Sequence, residues 1–234
     1  MKTGMKETQF DRFAGNYERE LEKGLAISGE TQDYFAAGRV DLLRHQITER
    51  GLQVRQILDY GCGTGNSIPF LLTIPNVVRV VGVDVSRESI EVARSRYHGL
   101  PVEFMTTETE LEAGTFDLVF CNGVFHHIHP SDRPRSMDYI RRSLKGTGHF
   151  ALWENNPWNP GTRYVMSRIE FDRDAVTLSP RQGRQLLQQH GFRVVGQRFA
   201  FFFPRFLKFL RPLECRLGRL PIGAQYLTLG AKAE

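Results

Sequence analysis

No stretch of this 234-residue chain approaches the roughly 20 consecutive apolar residues that a membrane-spanning helix requires. The opening MKTGMKETQFDRF also lacks the apolar run of a secretory signal. Cysteine is scarce: Cys62, Cys121 and Cys215 are odd in number and far apart, which excludes a disulfide framework and a paired-thiolate metal motif. A reducing, cytoplasmic setting is the expectation. There is no internal repeat and no low-complexity tract. The net charge of +5 is too small for a strongly electrostatic nucleic-acid binder, and no RNA-binding module is appended, so nucleic acid is not an expected partner.

What is present is an ordinary globular balance, 41% hydrophobic and 24% charged, with length for one α/β domain. The first fifty residues read as helical. In SGETQDYFAAGRVDLLRHQITERG, Ser28 is placed as an N-cap, Gly51 as the stop, and Val40, Leu43 and Ile47 as one buried face. Apolar runs then alternate with helical patterns: QILDYG, RVVGVDVS, VEFM, FDLVFCN and GHFALWEN (56–61, 79–86, 102–105, 116–122 and 148–155). Two further strands are expected at 192–203 and 224–233, after the helix in SPRQGRQLLQQHG. Strands apolar on both faces, alternating with helices, imply a doubly wound, mostly parallel seven-stranded α/β sheet.

ILDYGCGTGN places Gly61, Gly63 and Gly65 in the turn between a strand and the following helix. Glycine tolerates positive φ there and lets a ligand approach the backbone. About 20 positions on, Asp84 ends the second strand, where an acidic side chain can accept from a ribose diol. The spacing is G-x-G-x-G, unlike the dinucleotide G-x-G-x-x-G, and Asp59 precedes it. A carboxylate there repels pyrophosphate and suits a ligand with a cationic end, as S-adenosylmethionine has.

The sequence resembles the class I S-adenosylmethionine-dependent methyltransferases, through LDYGCGTGN, VVGVDVS, FDLVFCNGVFHHI and the late strand AQYLTLGAKA. The resemblance implies a Rossmann-like domain. Gly61, Cys62, Gly63 and Gly65 would line the methionine end, with Asp59 near the ammonium. Asp84 and Val85 would meet the ribose, Glu108 would fall nearest the adenine, and Asn122 and Val124 would lie against the cofactor. It also implies that FDRFAGNYEREL is a lid helix. The expected layout is one domain, 1–234, with a helical lid at 1–51, a cofactor core at 52–154 and substrate-side insertions at 155–179 and 203–223.

For the acceptor, CNGVFHHIHP offers His126 and His127 as a base for a phenol or enol, or as packing residues that hold the turn. A metal held by His126, His127 and His129 is set aside, since adjacent histidines in a turn do not easily face one ion and no nearby carboxylate or thiol is expected to complete a ligand set. ENNPWNPGTRY follows the fifth strand, so it is not the amino-methyltransferase motif, which belongs after the fourth. Glu154, Asn155, Trp158, Arg163 and Tyr164 are expected to face substrate, with Tyr17 and Tyr34 from the lid. In FFFPRFLKFLRPLECRLGRLPIG, cations recur beside aromatics. That pattern suits a helix on its own core, a roof over a greasy pocket or weak contact with an anionic membrane, and Pro212 divides it. The expected activity is methyl transfer at oxygen or carbon to a small, apolar acceptor that is quinone-like, polyketide-like or lipid-like. A non-catalytic cofactor-binding or assembly protein is the alternative, with RNA or protein methylation less favoured.

Overall fold

The computed structural model describes residues 24–25, 28–169, 172 and 175–233. The proposed lid segment FDRFAGNYEREL, with Tyr17, lies outside them.

Seven strands form one sheet in the order β3-β2-β1-β4-β5-β7-β6. They are β1 (Gln56–Tyr60), β2 (Arg79–Asp84), β3 (Val102–Thr106), β4 (Phe116–Asn122), β5 (Leu144–Asn155), β6 (Phe192–Ala200) and β7 (Gln225–Lys232). Strands β1 to β5 pair in parallel, and β7 runs antiparallel to both β5 and β6. Side chains alternate between two cores. Ile57, Val80, Leu118 and Trp153 pack with α1 (Gln32–Glu49), whereas Leu58, Val81, Val119 and Leu152 pack with α4 (Arg133–Ser143). Both faces are buried, so every second residue must be apolar on each side, which is why the strands read as continuous apolar runs.

Helix α1 begins later than the sequence suggests. Thr31 is its N-cap, accepting from the Tyr34 amide, while Ser28 Oγ caps locally by donating to the Leu25 carbonyl. Gly51 does end it, at φ 61°, and Val40, Leu43 and Ile47 are buried. Strand β5 starts at Leu144 rather than 148, because Leu144 already pairs with Phe116 before a bulge. Strand β6 stops at Ala200, where Phe201 turns to φ 61°. Beyond it, Arg205–Leu213 form a 3-10 helix interrupted at Leu207, and α7 (Glu214–Leu217) follows Pro212.

Between β2 and β4 the strand order reverses around β1, which opens a crevice beyond the carboxyl ends of β1 and β4. The remaining helices are α2 (Ile68–Leu71), α3 (Arg87–Arg96), α5 (Pro160–Arg168) and α6 (Pro180–Gln189).

Candidate active site

The glycine loop closes the crevice floor. The Gly61 and Cys62 amides both donate to the Val83 carbonyl, at 2.8 and 3.0 Å, tying the loop to the end of β2. Gly61, Gly63 and Gly65 all have positive φ, but for different neighbours. A Cβ on Gly61 would lie 2.3 Å from Val124, and one on Gly65 2.6 Å from Tyr97, so these two glycines serve packing. A Cβ on Gly63 would meet nothing within 4 Å, so Gly63 alone presents bare backbone to open space. Gly65 lines neither cavity of the crevice, whereas Cys62 lines the second cavity with its thiol buried in the core beneath it.

One cavity, of about 870 Å³, runs over the loop toward the end of β3, with Asp84, Val85, Ser89 and Glu108 along it. Asp84 accepts from the Gly63 amide at 2.8 Å and the Ser86 amide at 2.9 Å, while Ser86 Oγ caps α3. Val85 is half exposed on the wall. Glu108 reaches the rim, but its carboxylate pairs with Arg87 at 3.0 Å on the surface.

The second cavity, of about 560 Å³, lies on the α1 side and has an aromatic wall. Tyr34, Phe35 and Phe201 pack edge-on, with Phe35 and Phe201 4.9 Å apart. Gly38 permits this, since a Cβ there would stand 2.7 Å from the Phe201 ring. The Arg211 guanidinium stacks 4.4 Å over Tyr34. Helix α5 adds Thr162, Val165 and Met166, and β7 adds Gln225. The two cavities meet at Gly61, Gly63, Thr64, Asn122, Gly123 and His127.

Strand parity sends Asp59 to the same face as Ile57, beneath α1 and into the second cavity. Its carboxyl is 2% exposed, and Oδ2 has no hydrogen-bond partner. Burial, reinforced by the Asp84 charge and opposed by Arg39, pushes its pKa up to about 8. An orphaned, buried carboxyl beside a bare-backbone glycine fits the cationic end of an amino-acid ligand.

At the exit of β4, Glu154 Oε1 accepts from the Phe125 amide at 2.8 Å, and Oε2 lies 2.6 Å from His126 Nδ1. Asp172 stands on the other side, 3.6 Å from His126 Nε2 and 3.3 Å from His127 Nε2. Burial opposes a charge on His126, but the two carboxylates outweigh it and push its pKa up to about 10. Burial and the neighbouring His126 charge push His127 down to about 3. At neutral pH the His127 ring is therefore held neutral, while the two carboxylates keep His126 protonated.

Several expected acceptor residues are displaced. Glu154 is fully buried and lines neither cavity; it braces His126 instead. Trp158 and Arg163 lie on the outer surface of the α5 segment, away from both cavities. Asn155 and Tyr164 do line the second cavity, as does Tyr34, and Asn155 accepts from Gln225 at 3.0 Å. Asn122 lines both cavities and Val124 covers Gly61 in the first. Sequence reading missed Asp172, Arg39 and Thr64, whereas Phe201–Phe203 belong to the segment for which a roof over a greasy pocket was one of the alternatives. Asp172 had no spacing signal, since only the fold brings it to the histidine turn.

Residues 57–148 match the model of a family described as a methyltransferase domain. A SAM-dependent methyltransferase of Thermotoga maritima superposes with a TM-score of 0.65 at 20% identity, covering 95% of this chain and 97% of that one. The fold is thus the one the Thermotoga maritima protein has, and the central part of this chain, residues 57–148, is similar to the methyltransferase-domain family. Among curated proteins it is similar to the cyclopropane-fatty-acyl-phospholipid synthase of Escherichia coli K12, 31% identical over 42% of this chain and 25% of the synthase. It is also similar to a phthiotriol/phenolphthiotriol dimycocerosates methyltransferase of Mycobacterium leprae, 26% identical over 62% of this chain and 54% of that protein. The chain thus spans about a quarter to a half of the length of these relatives.

Proposed function

We propose that this chain transfers the methyl group of S-adenosylmethionine to an apolar, lipid-like acceptor. The observation that carries this reading is the joined pair of cavities. One is lined by Asp84 and Glu108, the other is walled by aromatics, and they meet at the glycine loop. When bound, the cofactor supplies an activated methyl on a sulfonium. An acceptor oxygen or carbon would take that methyl in line, its own proton passing to solvent, with S-adenosylhomocysteine as the departing product. Asp84 is placed to hold the ribose diol, Gly63 to let the cofactor lie on the backbone, and Asp59 to face its ammonium. Tyr34, Phe35 and Phe201 exclude water and orient the acceptor, the main tasks left when the donor is already activated.

The mouth of the second cavity supports the lipid-like part. Phe206 lines it yet is 75% exposed, and Phe209, Leu213 and Ile222 continue the exposed apolar surface at 71%, 45% and 59%. Arg205, Lys208, Arg216 and Arg219 are exposed around them. Exposed apolar side chains and exposed cations on one segment suit an anionic membrane surface, from which an amphiphilic acceptor could enter. No helix among the described residues is long and apolar enough to cross a membrane. Two relatives are named for fatty-acyl phospholipid and dimycocerosate chemistry, which favours the same class.

The test is a homologous series of hydroxylated or enolic acceptors with lengthening alkyl chains, assayed with methyl-labelled donor. Each added methylene that enters the cavity should raise kcat/KM by about threefold to fourfold, from roughly 0.8 kcal/mol per buried CH₂. A flat or falling series would contradict an apolar acceptor.

A further inference from the structure

We propose that His126, His127 and Asp172 form a binding site for a divalent first-row transition-metal ion, with Glu154 holding His126 in register. All three side chains line the second cavity and offer ligand atoms within 4.8 Å of one another.

The separations are longer than a tight hydrogen bond and close to the edges of a metal site; a metal ion would take the place of the proton that Glu154 and Asp172 now hold on His126. A carboxylate sharing a proton with imidazole closes to about 2.7–2.9 Å. Here Asp172 Oδ1 is 3.6 Å from one Nε2 and 3.3 Å from the other, and it makes no hydrogen bond although buried. Four ligands about 2.0–2.1 Å from a tetrahedral ion stand roughly 3.3–3.4 Å apart. The two measured edges straddle that length. The imidazole rings are tilted 48° with centroids 4.1 Å apart, so both nitrogens can converge beside the carboxylate without stacking flat.

The surroundings complete the case. Glu154 lies 2.6 Å from His126 Nδ1 and is itself fixed by the Phe125 amide at 2.8 Å. That is the carboxylate-to-histidine support that orients a metal-bound imidazole and sets its tautomer. Two imidazoles and one carboxylate suit zinc, iron(II), cobalt(II) or manganese(II) better than magnesium or calcium, which prefer oxygen. Asp172 supplies the carboxylate ligand that was not expected near the histidines, and the tilt between the two rings lets adjacent histidines face one point. His129 is not part of the set; it is exposed and engaged with Ser131 at 2.7 Å.

Three protein ligands leave a fourth position, and the cavity lies on that side. On the function proposed above, an acceptor hydroxyl or enol oxygen bound there would lose its proton to solvent more readily. The oxygen would then attack as an anion, without a neutral-pH base. Occupancy of the site is independent of that reading.

Cobalt(II) alone is the probe, added to the full chain after chelator treatment and removal of any purification tag. The expected result is one equivalent bound, with the visible absorption of a low-symmetry site. Asp172→Asn or His127→Gln should weaken binding by at least about 100-fold, and Glu154→Gln by about 10- to 100-fold. His129→Ala should leave it unchanged. Zinc should raise the melting temperature of the wild-type protein and not that of Asp172→Asn, so misfolding of a variant is separable from loss of a ligand. Absence of stoichiometric cobalt binding by the wild-type chain overturns the site, as does absorption that survives Asp172→Asn. Cobalt binding without detectable methyl transfer would sustain the site and discard only its role in the reaction.

Discussion

The buried carboxyl of Asp59 makes a quantitative prediction about how the cofactor binds. Its pKa of about 8 is raised first by burial and then by Asp84, with Arg39 opposing. At pH 7 about nine in ten sites hold the proton in the free protein. A cationic amino-acid end docked beside Asp59 favours the carboxylate and returns the pKa toward its ordinary range. Binding at pH 7 should therefore release about 0.9 proton from this group, and at pH 9 about 0.1. By linkage, the Asp59 contribution alone should raise cofactor affinity about tenfold between those pH values, opposed over the same range by deprotonation of the ligand's own ammonium, whose ordinary pKa is about 7.7–8.0. For the free protein the sign is opposite. A carboxyl raised from 3.8 to about 8 favours the fold at low pH, and that stability is lost as pH rises through this window.

The assay is calorimetric titration at pH 7 in two buffers of different ionisation enthalpy, which counts protons from the difference in heat. Asp59→Asn supplies the control. The ligand's own amine contributes equally in both proteins, so the difference between them isolates Asp59. The variant should release about 0.9 proton fewer and bind about 10- to 100-fold more weakly, having lost a charge-assisted contact. Equal proton release by wild type and Asp59→Asn would refute the assignment of Asp59 to the cationic end.

Four further outcomes are expected. Asp84→Ala should weaken cofactor binding by about 10- to 100-fold in equilibrium titration, because it removes the ribose acceptor and frees the Gly63 amide it now holds at 2.8 Å; unchanged affinity would end that role. Gly61→Ala places a methyl 2.3 Å from Val124 at φ 74°, and should cost about 1–3 kcal/mol, read as a lower melting temperature. Gly63→Ala meets no neighbour, so it should lower the melting temperature less and impair cofactor binding more. Phe206→Ser with Phe209→Ser should abolish co-sedimentation with anionic vesicles while preserving cofactor affinity. If wild type does not sediment with such vesicles at low salt, the membrane-facing mouth is wrong.

Much of the fold was legible because a parallel sheet covered on both faces demands apolar residues on both sides of each strand, and β1, β2 and β4 supply them. The glycine loop was legible for a similar local reason. What spacing could not separate was the three glycines: Gly61 and Gly65 answer to Val124 and Tyr97, which arrive from elsewhere in the chain. Glu154 could have been placed by strand parity, since it shares the face of Phe150 and Leu152 and not that of Trp153. Reading the whole ENNPWNPGTRY segment as substrate-facing overrode that alternation. Asp172 is a different kind of miss, because the contact with His126 and His127 exists only in the tertiary structure. The shifts of the two histidines follow from that same contact and from burial, neither of which a pair of adjacent histidines announces.

The central claim, that the aromatic cavity takes a lipid-like acceptor, is tested most directly by incubating the protein and methyl-labelled S-adenosylmethionine with a total lipid extract and with the matching aqueous metabolite fraction. The account predicts label in the organic phase, dependent on the protein and diminished by Asp84→Ala. Label transferred only to water-soluble molecules would contradict it.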